Sequence, residues 1–194
     1  MTRLHRLSIF MLTPGLTAAL LIAPLHADTN VDFTATVQKD TCQIEINDNG
    51  AVNFETVEPA YFADGITAET DYKGGKEFTI KLVSCPASDK TITNVTFNFA
   101  PLSEVSTAGN QQIFANDLQQ DAGGAANVGV VIFTTDSPRM NVLNTDGSSR
   151  ATFQASTYSD TNWVFYARMQ KIASTRNVTP GILSSKVLVN VSYQ

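Results

Sequence analysis

The sequence predicts an all-β sandwich, and three observations carry that prediction. Short runs of residues alternate between apolar and polar at the two-residue period of a strand. Clusters of Gly, Asn, Asp and Pro separate those runs at short intervals. No stretch in the body of the chain sustains a helical apolar period, and Thr, Val, Asn and Ser are abundant while only 16% of residues are charged, a balance that favours strands.

Met1 to Ala27 reads as a secretory signal. Arg3 and Arg6 open it, an apolar middle runs through Leu7–Leu12 and Leu16–Leu25 around Pro14-Gly15, and Leu25-His26-Ala27 supplies a cleavage site. No later stretch approaches the roughly 20 apolar residues that span a bilayer. The expected exported chain, Asp28 to Gln194, has 167 residues, enough for one domain with a real core.

Val31 to Val37 alternates strictly, with Val31, Phe33, Ala35 and Val37 on one face and Asp32, Thr34 and Thr36 on the other. Cys42 to Ile46 alternates again and ends at the turn Asn47-Asp48-Asn49-Gly50. Ala51 to Val57 predicts a short strand, and Glu58 to Gly75, with Pro59, Gly65 and Gly74-Gly75, a loop. Lys76 to Cys85 returns to strand and stops at Pro86; Val95, Phe97 and Phe99 mark the next, closed by Pro101. Ser103–Gly109 and Asp121–Gly124 are loops around a weakly defined Ile113-Phe114 segment. Val128–Thr134 has the continuous apolar run of a buried strand, and Asn144–Gly147 marks a turn. Ala151–Tyr158 and Trp163–Met169 give two more strands. In the last fourteen residues, Gly181 to Gln194, Val187, Val189, Val191 and Tyr193 share one face, and Lys186, Asn190 and Ser192 share the other with Leu188.

Composition narrows the chemistry. Removing the signal leaves 11 basic against 18 acidic residues, a net charge of −7, which disfavours nucleic acid and anionic lipid as partners. His5 and His26 both lie in the signal, so the exported chain would have no imidazole for acid-base catalysis, nucleophile activation or metal ligation. Acid pairs such as Glu55 with Glu58, or Asp117 with Asp121, have no spacing that selects one as general acid and base. Gly123-Gly124 lacks the strand, lysine and helix of a phosphate loop. No catalytic, cofactor or metal residues are therefore assigned. Asn94, Asn177 and Asn190 match a three-residue glycosylation pattern common by chance. Cys42 and Cys85, an even pair in an exported chain, predict one disulfide, and its closed loop would stabilise the fold by roughly 4 kcal/mol.

The two ends have to be read together. In an immunoglobulin-like sandwich the strand beginning at Cys42 is the natural first strand, which makes Val31 to Val37 one strand too many at the start. The Val187 to Tyr193 edge then ends one strand too few. A leading strand unable to reach its own domain's gap would fill the gap of a neighbour. Such head-to-tail, non-closing association makes fibres.

These residues resemble the pilin subunits of chaperone-usher fimbriae, most closely the minor subunits of type 1 pili. The resemblance spans the exported chain. It rests on the alternating segment ahead of Cys42, the Phe78–Cys85 strand, Phe165-Tyr166-Ala167-Arg168, Gly181 fourteenth from the end, and the penultimate Tyr193. One departure is Ala35, where that family usually has glycine at the middle of the donor strand's inward face.

The resemblance implies an incomplete immunoglobulin-like β-sandwich lacking its last strand. Residues 28–41 would be an N-terminal donor strand, with Val31, Phe33, Ala35 and Val37 facing inward, and residues 42–194 the pilin domain. Gly181, Val187, Val189, Val191 and Tyr193 would form the groove edge. A periplasmic chaperone would capture that edge and an outer-membrane usher would exchange the chaperone for a neighbouring subunit, building a cell-surface fimbrium that supports adhesion, with no nucleic acid and no small-molecule substrate. Two other readings compete with the structural subunit. One is a single-domain fimbrial adhesin or another secreted carbohydrate-binding sandwich, which glycan binding would reveal. The other is a secreted β-sandwich enzyme, which polymer hydrolysis lost on mutating an acid pair would reveal.

Overall fold

A computed structural model describes residues 29–35, 43–84, 93–102, 110–154 and 162–193. The predicted signal segment, Val37, Cys42 and Cys85 lie outside the described residues.

The chain is an all-β sandwich of the immunoglobulin-like kind, with no α-helix among the described residues. Its strands are β1 (Thr29–Ala35), β2 (Gln43–Ile46), β3 (Ala51–Phe54), β4 (Lys76–Ser84), β5 (Asn94–Pro101), β6 (Phe114–Ala115), β7 (Val128–Thr134), β8 (Ala151–Gln154), β9 (Asn162–Lys171) and β10 (Ser184–Tyr193). They form two sheets, ordered β3-β1-β10-β5-β8 and β2-β4-β9-β7-β6. Every ladder between these strands is antiparallel except β1 with β10, which is parallel.

The alternating residues meet between the sheets. Phe78, Ile80 and Leu82 of β4, Val95, Phe97 and Phe99 of β5, and Val187, Val189 and Val191 of β10 are all buried in one core. Phe165 of β9 sits at its centre, with ring centroids 5.2 to 5.8 Å from Phe99, Phe97, Phe78 and Phe153. Contacts with Phe97, Phe99 and Phe153 are edge-to-face, the arrangement the aromatic quadrupole favours. The run Val128–Thr134 does not alternate because it is covered on both faces. Val128, Val130 and Ile132 enter the main core, while Val131 and Phe133 pack with Ala68, Ile113 and Tyr166. A strand buried on both faces needs no polar side.

What covers the outer face is the loop predicted over Glu58 to Gly75, anchored by a buried cation. Arg168, fully buried, donates through Nη1 to the Met169 carbonyl at 3.0 Å and Gln170 Oε1 at 2.6 Å. Through Nη2 it donates to the carbonyls of Thr67 and Thr70, both at 2.7 Å. Its guanidinium lies 5.3 Å from the Phe133 ring. Burial lowers its pKa from the usual arginine value. Gln170 adds a bond to Ile66, and the Tyr166 hydroxyl donates to the Tyr72 carbonyl. The same loop carries Tyr61, whose hydroxyl donates to the Lys73 carbonyl and whose pKa burial raises to about 12. Arg168→Met would leave the Thr67 and Thr70 carbonyls without that donor, and unpaired buried acceptors cost about 1–3 kcal/mol each. A melting temperature several degrees lower, with hydrogen exchange accelerated first in residues 63–72, is the expected result.

The expectation that the leading strand cannot reach its own domain's gap is corrected by the structure. β1 lies inside its own sheet, between β3 and β10. The reason is local: only residues 36–42 separate β1 from β2. The chain then descends β2, crosses sheets at Asn47–Gly50, and continues as β3. β1 pairs antiparallel with β3, Thr29 opposite Phe54 and Asp32 opposite Ala51. That direction makes it parallel to β10.

Candidate functional site

The groove in which β1 lies is built from β10, β3 and the floor of β4. β10 is well held on its far edge. Residues Val187 to Tyr193 pair with β5, and Asn116-Asp117 continue the pairing. The Ser184 amide donates to Asn116 Oδ1 at 2.9 Å, the Asp117 amide to the Ser184 carbonyl at 2.7 Å, and the Lys186 amide to Asp117 Oδ2 at 2.7 Å. Asp117, one of the acids considered for catalysis, is thus a backbone clamp. Glu55, another, is an exposed partner of Lys76 at 3.0 Å.

On its near edge, β10 from Ser184 to Val189 pairs with β1 from Asn30 to Ala35. Val31 stands opposite Ser185, Phe33 opposite Val187 and Ala35 opposite Val189. Val31 is fully buried and Phe33 is 8% exposed, whereas Thr34 is exposed. The Phe33 ring stacks on Phe78 of the opposing sheet, centroids 4.5 Å apart and planes inclined 26°. Filling the groove with these two side chains is worth roughly 1.5–3 kcal/mol each. A one-residue slip would turn Asp32 and Thr34 inward, so register is fixed.

Sequence reasoning found Val31, Phe33, Val187, Val189 and Val191 on the groove's inner face. Ala35 and Tyr193 take their expected strand positions, Tyr193 opposite Val95. Reasoning from sequence missed Ser185, buried on the same face of β10, and Leu183, buried just ahead of that strand; the alternation extended back from Val187 would have included them. It also missed how the Asn47–Gly50 turn fits under the strand. Asp48, Asn49 and Gly50 all take positive φ, and a Cβ on Gly50 would stand 2.8 Å from the Phe33 carbonyl oxygen. Only glycine suits that φ and that approach.

Among the described residues the groove continues beyond the N-terminal end of β1. A cavity of about 330 Å³ lies where the lines of β3 and β10 continue, walled by Val57, Phe62, Met169, Val178, Ile182 and Leu183. Gly181 forms its edge for a steric reason. The Ile182 amide donates to the Gly123 carbonyl and the Ala125 amide to the Ile182 carbonyl, both at 2.9 Å. A Cβ on Gly181 would come within 2.5 Å of the Ala125 nitrogen and 2.6 Å of the Gly124 carbonyl carbon. Those neighbours are backbone and cannot swing aside. Gly181→Ala is therefore expected to destabilise the subunit by about 1–3 kcal/mol, read as a lower melting temperature together with a disturbed start of β10.

Comparison with known proteins places the chain in a class. The chain belongs to the fimbrial protein family, whose sequence model matches residues 31–194. It is 38% identical over 180 residues, 90% of this chain and 89% of the relative, to the uncharacterized fimbrial-like protein YadK of Escherichia coli strain K12. The protein is thus a fimbrial subunit, from a family of structural proteins of the cell-surface fimbrium.

Proposed function

We propose that this chain is a structural fimbrial subunit that polymerises head to tail, the Val31–Val37 strand of one copy completing the groove of the next. The observation that carries this reading is the fit of β1. Its apolar face, Val31 and Phe33, enters a groove walled by the buried valines of β10 and floored by Phe78. The strand belongs to the first residues of the exported chain, ahead of the domain that encloses it, so the same contacts are available to a second copy. Strand addition of this kind is the established mode in chaperone–pilin complexes.

On this reading residues 28–41 are the donor segment and 42–194 the acceptor domain. Val187, Val189, Val191 and Tyr193 form the edge that a periplasmic chaperone captures. An outer-membrane usher then replaces the chaperone's strand with a neighbour's, and the fibre supports adhesion at the cell surface. A Cys42–Cys85 disulfide would staple the start of β2 to the end of β4. Supporting it, Gln43 and Ser84, the next residue and the preceding one, are partners across the β2–β4 ladder.

The test is assembly of the exported chain, Asp28 to Gln194, followed by electron microscopy and light scattering over a range of concentrations. Fibres are expected, with mass spectrometry locating residues 31–35 of one isotopically marked copy against residues 185–189 of another. A protein that stays monomeric and binds a glycan array would overturn the proposal in favour of an adhesin module.

A further inference from the structure

We infer that the outer face of β10, β5 and β8 is a lateral contact surface whose partner is the same face of a second copy, joining one fibre to another side by side. The inference rests on the reading of the chain as a head-to-tail polymer. It concerns a different side of the molecule from the groove.

The outward positions of these strands hold amides and hydroxyls. Asn98 stands opposite Asn190, and Thr96 stands between Ser192 and Thr152, its hydroxyl 3.0 Å from that of Thr152. Gln154 extends the set, and Asn98, Thr152, Gln154 and Ser192 are exposed. Leu188 and Ala100, opposed on the same ladder and half-buried, add a small apolar spot beside Asn98. No outward position from Asn94 to Ala100, Thr152 to Gln154 or Leu188 to Ser192 carries a charge.

Those features select the partner. The expected exported chain has a net charge of −7, so two copies repel where acidic surfaces meet, as on the outer side of the other sheet, which carries Asp64, Asp71 and Glu77. The uncharged face has no such penalty, and it offers a charged ligand nothing to pair with. Amides and hydroxyls both donate and accept, so the face is complementary to itself about a two-fold axis, as an isologous contact requires. Three strands about 4.8 Å apart and roughly 25 Å long would bury only about 700 Å² in total from two copies, short of the roughly 1,000 Å² of a stable interface. One contact is therefore weak. A fibre repeats it at every subunit, and linked weak contacts gain from their effective concentration, so a pair of fibres holds where a pair of monomers parts.

Cysteine pairing tests this. Asn98→Cys puts a thiol near the axis of the contact, and Asp64→Cys, at a position exposed on the other side of the molecule, is the control. Unlabelled and 15N-labelled fibres are grown separately, mixed, oxidised and mapped by peptide mass spectrometry, which separates these bridges from any involving Cys42 or Cys85. Hybrid-labelled bridges between two position-98 thiols are expected to form at least about tenfold faster than those between two position-64 thiols. Adding Thr152→Lys, which sets like charges face to face, is expected to remove that difference and to disperse side-by-side fibres into single ones of unchanged length. Should that variant fail to fold, Gln154→Lys on the same strand repeats the measurement with the same outcomes. Equal rates, bridges that are never hybrid, or side-by-side fibres that survive the lysine would overturn the contact. A face that a neutral polysaccharide occupies, with no position-98 bridge, belongs to a glycan and overturns it too. If the chain forms no fibres, the same oxidation is run on the monomer at about millimolar concentration. Preferential bridging at position 98 there would keep the face and overturn head-to-tail assembly, whereas no preference would overturn the face.

Discussion

Phe33→Asp is expected to abolish fibre formation while leaving the domain able to fold around a strand supplied by a partner. Phe33 is 8% exposed and stacked on Phe78 at 4.5 Å, and removing such a side chain from a core costs about 3–5 kcal/mol. A carboxylate in its place adds a desolvation cost with no cation opposite, since the facing β10 residue is Val187. Both uses of the strand fail together. The monomer loses its own closure, seen as a lower melting temperature and binding of an apolar dye, and no neighbour can be plugged. The acceptor groove keeps its walls, because Val187, Val189 and Phe78 belong to β10 and β4. A wild-type donor strand added in trans should restore the melting temperature. A mutant that assembled normally would remove Phe33 from the contact.

Val189→Asp should be worse, and in a different way. Val189 is fully buried, paired with Phe99 on one side and Ala35 on the other. A buried unpaired charge costs several kcal/mol against a total stability of about 5–15 kcal/mol. Little soluble subunit is expected in any compartment, and no donor strand should rescue it. The contrast between a rescuable mutant on β1 and an unrescuable one on β10 distinguishes donor from acceptor. Equal behaviour of the two would mean that the ends had been assigned the wrong roles.

Why these two positions could be found without coordinates, and others could not, follows from the reach of each signal. Local pattern, alternation for most strands and a continuous apolar run for β7, located β1, β4, β5, β7, β9 and β10 to within a few residues and put Val31, Phe33 and the β10 valines on inner faces. It carries no information about direction or about which groove a strand enters. The parallel, cis placement of β1 follows from its position between β3, with which it pairs antiparallel, and β10. That is a tertiary matter, and the expectation of a strand out of reach of its own gap failed there.

Arg168 was noticed as part of Phe165-Tyr166-Ala167-Arg168, but not as the anchor of a loop about a hundred positions earlier. Its partners are the carbonyls of Thr67 and Thr70, and backbone acceptors leave no mark in a sequence. Gly181 was legible as punctuation. Its close approach to Gly124-Ala125, and the cavity beside it, became visible only when the segments were brought together.

The central claim is that the groove beside β10 accepts the Val31–Val37 strand as a separate piece of chain. Thermal unfolding of the protein without residues 28–41, with and without a synthetic peptide of those residues, tests it most directly. A ligand that binds only the folded state stabilises by about 2.7 kcal/mol at a hundred times its dissociation constant. The account predicts a melting temperature that climbs with peptide concentration and does not move when the peptide carries Phe33→Asp. A well-folded truncated domain whose melting temperature ignores the peptide would contradict it.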